Sequence, residues 1–344
     1  MGVTTSLGQT GRIFQYVPSL KAKSGEIQAL RNLDASLKPR VFPLFQIMSG
    51  ISASFAGDLA TAWTGLPIAL DGAFRSANDG SAVAFSNLFQ AIGATGIPVL
   101  PVLDVGTTGT YHAAVGAVLN QYAPGLILRT TLQNIPNAAQ WLAQQGGTAA
   151  DTDLLIDIGH VADLDPALIA PVVLAALQPN VGQLGVWRSI TLVSSSAPKD
   201  ISALVPGPNL VPRRCWQLWW AVAQTIPHLH FGDHGISHRD LIEPPGVAMA
   251  NATVSPRYTL PTEWLIRRGL TTQGVRGQRM GVQYHSHAQA LAVHPSFGQV
   301  PGCWADGRIQ QIAAQAGVGS SGNRETWVGI AVNRHASVVC HHLP

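Results

Sequence analysis

Ile97-Pro98-Val99-Leu100-Pro101-Val102-Leu103-Asp104, an unbroken apolar run ending on a carboxylate and followed by a helix-like segment over 110–122, decides the fold. A strand that is apolar at every position is covered on both faces, as in a parallel sheet. The same unit recurs on either side. Apolar stretches ending on a polar or charged residue lie at 16–21, 41–47, 66–71, 125–129, 153–157, 189–194 and 228–233, which makes eight in all. Each is followed by enough chain for the crossover helix that parallel strands require. Behind the first stretch, Ile27, Leu30, Leu33 and Leu37 recur at three and four and form one apolar helix face. Eight strand–helix units in about 240 residues predict an α/β fold, a (β/α)8 TIM-like barrel.

After Asp233 the alternation stops at the breaker cluster Glu243-Pro244-Pro245-Gly246. Beyond it the chain reads as a strand at 257–260, helices over 280–293 and 307–316, and a terminal strand over 327–340. The expected organisation is a barrel over 1–240 and a C-terminal α+β appendage over 241–344, packed on the barrel and placed to act as a lid.

Composition narrows the function classes. The chain of 344 residues is 46% hydrophobic and only 11% charged, with a net charge of +3. A large core is affordable, and no run of Lys or Arg offers nucleic acid a basic face. Cys215, Cys303 and Cys340 are odd in number and far apart, which predicts no disulfide framework and a reducing, cytoplasmic setting. The opening residues 1–12 lack the charged and apolar regions of a leader, and no apolar run reaches the roughly 18 residues that span a bilayer.

Barrels of this type carry their chemistry at the C-terminal strand ends. Lys21, Lys23, Gln46, Asp71, Asp104, Arg129, Asp157, Ser194 and Asp233 are therefore expected to converge on one mouth, with Asp233 near Lys21 or Lys23 and Asp71 near Asp104. Neighbouring carboxylates share a proton, hold a divalent cation, or pair with a cation such as Arg129. Lys21, Lys23 and Arg129 suit a small anionic or phosphorylated ligand, a nucleotide among them. Glu26 stands in the first helical turn, where a carboxylate also suits the dipole. Phe231-Gly232-Asp233-His234-Gly235 is the sharpest local motif, a carboxylate and an imidazole between glycines that let backbone approach closely. Adding His238 gives an H-x3-H spacing, but Gly235 argues against the regular helix that a zinc site would use. Ser194-Ser195-Ser196 lacks a nucleophile elbow and reads as a loop. Trp216, Trp219 and Trp220 fall at helical spacing and read as packing.

Taken in order, Tyr16-Val17-Pro18, Leu20-Lys21, Lys23 and Gly25-Glu26 resemble the opening of the phage beta-protein family, Y-V-P-I-L-K-x-K-x-G-E. The likeness continues through Pro43-Leu44, Asp157 with Gly159, Arg213 with Trp216 and Trp219, and Phe231-Gly232-Asp233 with Gly235. It runs on through Arg257-Tyr258-Thr259, Trp264-Leu265-Ile266, Trp304 with Asp306, Gly322-Asn323 with Trp327, and Asn333 with His335. The resemblance implies a phage-related protein of a family also found in bacterial genomes, and it brings no assigned reaction. Three positions depart from the family pattern: Gln46 for a Glu, His234 for a Tyr, and Arg334 for the His that precedes His335.

The expected catalytic groups are Asp157, Asp233, His234, Lys21 and Glu26, with His335 carried in by the C-terminal part. The expected ligand-binding groups are Lys23, Asp71, Arg129, Arg257 and Asn333. A divalent cation is compatible with the carboxylates. The rival expectation is a binding protein of phage–host conflict, in which the barrel is a scaffold for a phage or host protein and the mouth charges satisfy one another.

Overall fold

The computed structural model describes residues 14–122, 125–180, 184–226, 228–242, 253–275, 277–317 and 319–344. The opening tract read for a leader and the breaker cluster at 243–246 lie outside them. Eight parallel strands close into a barrel: β1 (Tyr16–Lys21), β2 (Leu44–Gln46), β3 (Ile68–Asp71), β4 (Val99–Asp104), β5 (Leu126–Thr130), β6 (Thr152–His160), β7 (Ser189–Ser195) and β9 (Leu229–Asp233). All eight expected strands are present. The helices outside them are α1 (Ser24–Arg31), α2 (Phe55–Ala62), α3 (Ala73–Asp79), α4 (Val83–Gly93), α5 (Gly109–Gln121), α6 (Ile135–Gln144), α7 (Pro166–Leu177) and α8 (Arg214–Ala223).

The apolar runs conceal a strict alternation, because successive side chains of a strand face opposite ways. Val17, Leu44, Ala69, Leu100, Val102, Ile127, Leu155 and Val193 fill the barrel interior, closed below by Phe14 and Phe42 stacked at 4.8 Å. Their neighbours Leu70, Leu103, Leu128, Leu154, Leu192 and Phe231 belong to the outer core under the helices. Parity then decides where each strand-end residue points. Gln46, Asp71, Asp104, Arg129 and Asp157 share the parity of interior residues and face the mouth. Asp233 shares the parity of Phe231 and faces out.

The remaining strand of the first two-thirds, β8 (Gly207–Pro212), leaves the barrel between β7 and α8. It pairs antiparallel with β11 (Glu263–Arg268), which also pairs with β10 (Arg257–Thr259). The sheet of the C-terminal part thus borrows a strand from within 1–240, and a cut at residue 240 would divide it. Helices α9 (Met280–Ala292), α10 (Trp304–Ala313) and α11 (Arg324–His342) complete this part around its own core of Tyr258, Leu265, Tyr284, Leu291, Ile309 and Trp327.

The expected terminal strand over 327–340 is instead the body of α11. Every residue from Gly329 to Cys340 is buried, the polar Asn333, Arg334, His335 and Ser337 with the apolar ones, so no 3.6-residue apolar stripe survives in the sequence. A capping box of Asn323 and Thr326 starts the helix. It lies against α1 at close range: a Cβ on Gly25 would meet Val328 Cγ1 at 2.9 Å, and one on Gly329 would meet Gln28 Oε1 at 2.5 Å. Ser194 and Ser195, read as a loop, end β7 and are buried with Ser196, whose hydroxyl accepts from the Cys215 amide at 3.1 Å. The three cysteines are free and buried. Among the described residues no helix is long and apolar enough to cross a membrane.

Candidate functional site

A cavity of about 460 Å³ opens at the C-terminal end of the barrel, within the range of ordinary ligand sites. Strand register brings its floor together: Gln46 is level with Asp71, and Asp104 with Arg129. Arg129 is the centrepiece. Its Nη1 donates to Asp71 Oδ2 at 2.7 Å and its Nη2 to Asp104 Oδ2 at 2.9 Å, while Nε donates to Asp104 Oδ1. Burial alone would lower the guanidinium, but Asp71 and Asp104 outweigh it and hold the group well above its ordinary value. Asp71 is oriented further by the Ala73 amide, which donates to Oδ1 at 3.0 Å. The two carboxylates expected to be neighbours are indeed joined, by the cation between them.

The adjoining wall is Asp157 on β6, the strand next to β5; its Oδ2 accepts from Arg239 Nη2 at 2.9 Å and its Oδ1 accepts from the Gly159 amide at 2.8 Å. A β-bulge at Asp157/Gly159 and the left-handed backbone of Gly159 (φ +92°) make room for Arg239. The segment after β9 lines the outer rim with Arg239, Asp240, Leu241 and Ile242, and Lys199 pairs with Asp240 from outside. Of the described residues, Ile242 is the last along the chain to line the cavity.

Two wall residues differ from this paired frame. Gln46 and His234 are only 6% and 8% exposed, yet neither side chain hydrogen-bonds to another described residue. Burial pushes the His234 imidazolium down to about 4, only partly offset by Asp157. The ring is therefore neutral at pH 7, with one nitrogen donating and the other accepting.

The other expected site residues are elsewhere. Asp233 sits 1% exposed beneath α11, where it accepts from Tyr16 Oη at 2.8 Å, from the Gly235 amide at 2.8 Å and from His335 Nε2 at 2.8 Å. Burial would raise its carboxyl, but these donors and the nearby Arg213 hold it below the usual range. Burial lowers His335; the neutral ring donates to Asp233 and accepts from Thr259 Oγ1 at 3.1 Å. Asp233 and His335 are thus a clasp between barrel and C-terminal helix, and the expected approach of Asp233 to the mouth fails on strand parity. Asn333 is likewise structural, accepting from the Ala305 amide at 3.1 Å and donating to the Ala29 carbonyl at 3.0 Å. Arg257 donates to the Ile236 carbonyl and braces the segment behind the cavity wall. Lys21, Lys23 and Glu26 do not line the cavity, and Lys23 is exposed.

Among the described residues no group of three or more His, Cys, Asp or Glu is placed to hold a metal ion. His238 faces His160, ring centroids 4.5 Å apart, and does not join His234 as the H-x3-H spacing would need. Arg239 was invisible as a site residue in the sequence: it lies in a loop 82 residues from the carboxylate it meets. Gln46 was expected at the mouth from its strand-end place and marked besides as a departure from the family pattern. No curated protein matches the chain. The family model described as Beta protein matches residues 16–341, a span that takes in every strand of the barrel and the C-terminal helix clasped to it, and the chain belongs to that phage-related family.

Proposed function

We propose that the barrel mouth is a small-molecule active site in which His234 transfers the proton, in a hydrolytic or related reaction on a polar ligand. The observation that carries this reading is the placement of His234: nine-tenths buried, without a hydrogen bond to another described residue, and on the cavity wall with Asp157. A buried polar group without a partner is costly unless something else meets it. A neutral imidazole at a cavity wall is suited to accept a proton from a bound hydroxyl or water and to return it. Asp157 and Arg239 would hold the ligand against it, and Arg129 with Asp71 and Asp104 would form the rigid floor. Of the ligand anchors expected from sequence, Arg129 and Asp71 remain in this reading; Lys21 and Lys23 drop out.

The test is a hydrolase substrate panel, with melting temperature followed for each compound, on the protein and on His234→Gln and Asp157→Asn. A compound that raises the melting temperature by mass action identifies a ligand. Turnover of it is expected to fall about 100-fold or more in His234→Gln, the usual worth of a general acid–base group. Undiminished turnover in that variant would sink the assignment.

A second reading, a non-catalytic binding protein of phage–host conflict, draws on one observation. Asp71, Asp104 and Asp157 each already face an arginine. Its signature would be a ligand or partner that stabilises the protein and His234→Gln equally, without turnover.

A further inference from the structure

We infer that the mouth selects an uncharged, hydroxyl-rich ligand of the sugar or cyclitol class over an anionic one. The inference rests on the reading of the mouth as a ligand site and deepens it. Charge comes first. Asp71, Asp104, Asp157 and Asp240 line the cavity against Arg129 and Arg239. Lys199 answers Asp240 from outside the cavity, which leaves the described wall residues with a surplus of one carboxylate. Both guanidiniums are engaged by carboxylates, so a phosphate or carboxylate ligand would have to displace an aspartate or sit beside one. Like charges at such range in a half-buried site oppose each other strongly.

Hydrogen-bond capacity points the same way. Arg129 makes three bonds to carboxylates and Arg239 two, out of the five N–H groups each carries. Each guanidinium therefore has N–H groups beyond those its carboxylates take. The two groups without a hydrogen-bond partner among the described residues, the Gln46 amide and the neutral His234 ring, each present a donor and an acceptor. A hydroxyl is the ligand group that matches such a surface, since it donates to one wall atom and accepts from the next. A wall built to hydrogen-bond hydroxyls rejects a ligand that leaves those groups unmet. The amide at position 46 fits this chemistry, because a carboxylate there would add a second surplus negative charge to the floor.

The experiment uses the full chain and four probes: D-ribose, myo-inositol, ribose 5-phosphate and inorganic phosphate. Binding is read by ligand-observed saturation-transfer NMR and by titration calorimetry, for the protein and for Gln46→Leu and Arg239→Met. Both variants are first checked for an unchanged far-ultraviolet dichroism spectrum. The expected result is binding of ribose or inositol, at least tenfold weaker binding of ribose 5-phosphate, and loss of the sugar signal in both variants. Phosphorylated ribose or free phosphate binding as well as the neutral probes would overturn the ligand class while leaving the mouth as the site. Sugar binding undiminished in both variants would overturn the location. Silence from all four probes would overturn the ligand class, and the His234 reading would still answer to its own turnover test.

Discussion

Two polar clusters stand one residue apart in the sequence and behave as opposites. Asp233 turns outward from the barrel into a sealed junction with Tyr16, His335 and Arg213, all of them essentially without solvent contact. His234, the next residue, turns inward to an open cavity whose carboxylates pair with partly exposed arginines. Asp233 and His234 both stand at the C-terminal end of β9, where such barrels carry their catalytic residues. What separates them is the two-residue period of a strand, which sends one side chain to the helix layer and the next to the mouth. The junction uses its charges to fasten α11 to the barrel; the mouth leaves hydrogen-bonding capacity facing solvent.

The sharpest way to break this contrast is to neutralise one carboxylate on each side. Asp233→Asn replaces a fully buried carboxylate that accepts from Tyr16, the Gly235 amide and His335 by a neutral amide, and is expected to cost about 2 to 3 kcal/mol in urea unfolding. Asp157→Asn loosens a half-exposed pair and should cost about 1 kcal/mol or less. Equal losses would mean that the mouth is as much a structural clamp as the junction.

Acid sharpens the same contrast through the histidines. His234, held down to about 4, and His335, also lowered, are both neutral in the folded protein. The unfolded chain protonates them near the ordinary value of about 6.5. Between that value and the folded one the unfolded state binds more protons, so stability is full above about pH 6.5 and falls as pH drops, by up to about 1.4 kcal/mol per unit for each group. Asp233, depressed in the folded state, adds its own loss only below about pH 4, where the unfolded carboxylate protonates. His234→Gln should remove one share of the slope in denaturant midpoints between pH 7 and 5 and leave the share of His335. An unchanged slope in that variant would place the titration elsewhere.

How far these features were legible in the sequence follows from what is local and what is not. The eight strands were legible because each is a short, mainly apolar stretch that ends on a polar residue and is followed by a helix-like segment, and their closure followed from their number. The helix α11 was not, since burial on all sides erases the stripe that marks a helix. The convergence of Gln46, Asp71, Asp104, Arg129, Asp157 and His234 on one mouth was readable from their places at strand ends. The exclusion of Asp233 was readable too, had the alternation set by Phe231 and Gly232 been followed to the strand end. A Cβ on Gly232 would lie 2.4 Å from Val193 Cγ2 in the barrel interior, which marks its parity. The Arg239–Asp157 pair was out of reach, because nothing local links a loop arginine to a carboxylate three strands earlier in the chain.

That pair depends on one backbone feature, and it yields a smaller effect. Gly159 holds φ at +92°, and a Cβ there would stand 3.0 Å from Arg239 Nη1. Gly159→Ala is expected to cost about 1 to 2 kcal/mol from backbone strain, and to weaken any mouth ligand as well, because Arg239 must shift. A loss of stability with ligand affinity intact would show that Arg239 positions nothing at the site.

The smallest effect belongs to the rim. Lys199 is 64% exposed at its side chain and pairs with Asp240, itself 23% exposed, so solvent and salt screen most of the attraction. Lys199→Ala should therefore change stability by no more than about 0.5 kcal/mol, and the difference should vanish in 0.5 M salt. Its use lies in the charge argument. Removing the lysine strips the outer counter-charge from Asp240 and makes the cavity more negative without touching its walls. Ribose should bind Lys199→Ala as it binds the parent protein, whereas ribose 5-phosphate should bind it more weakly still. If both probes weaken alike, the rim acts by holding the 239–242 segment in place, and charge is not what the mouth reads.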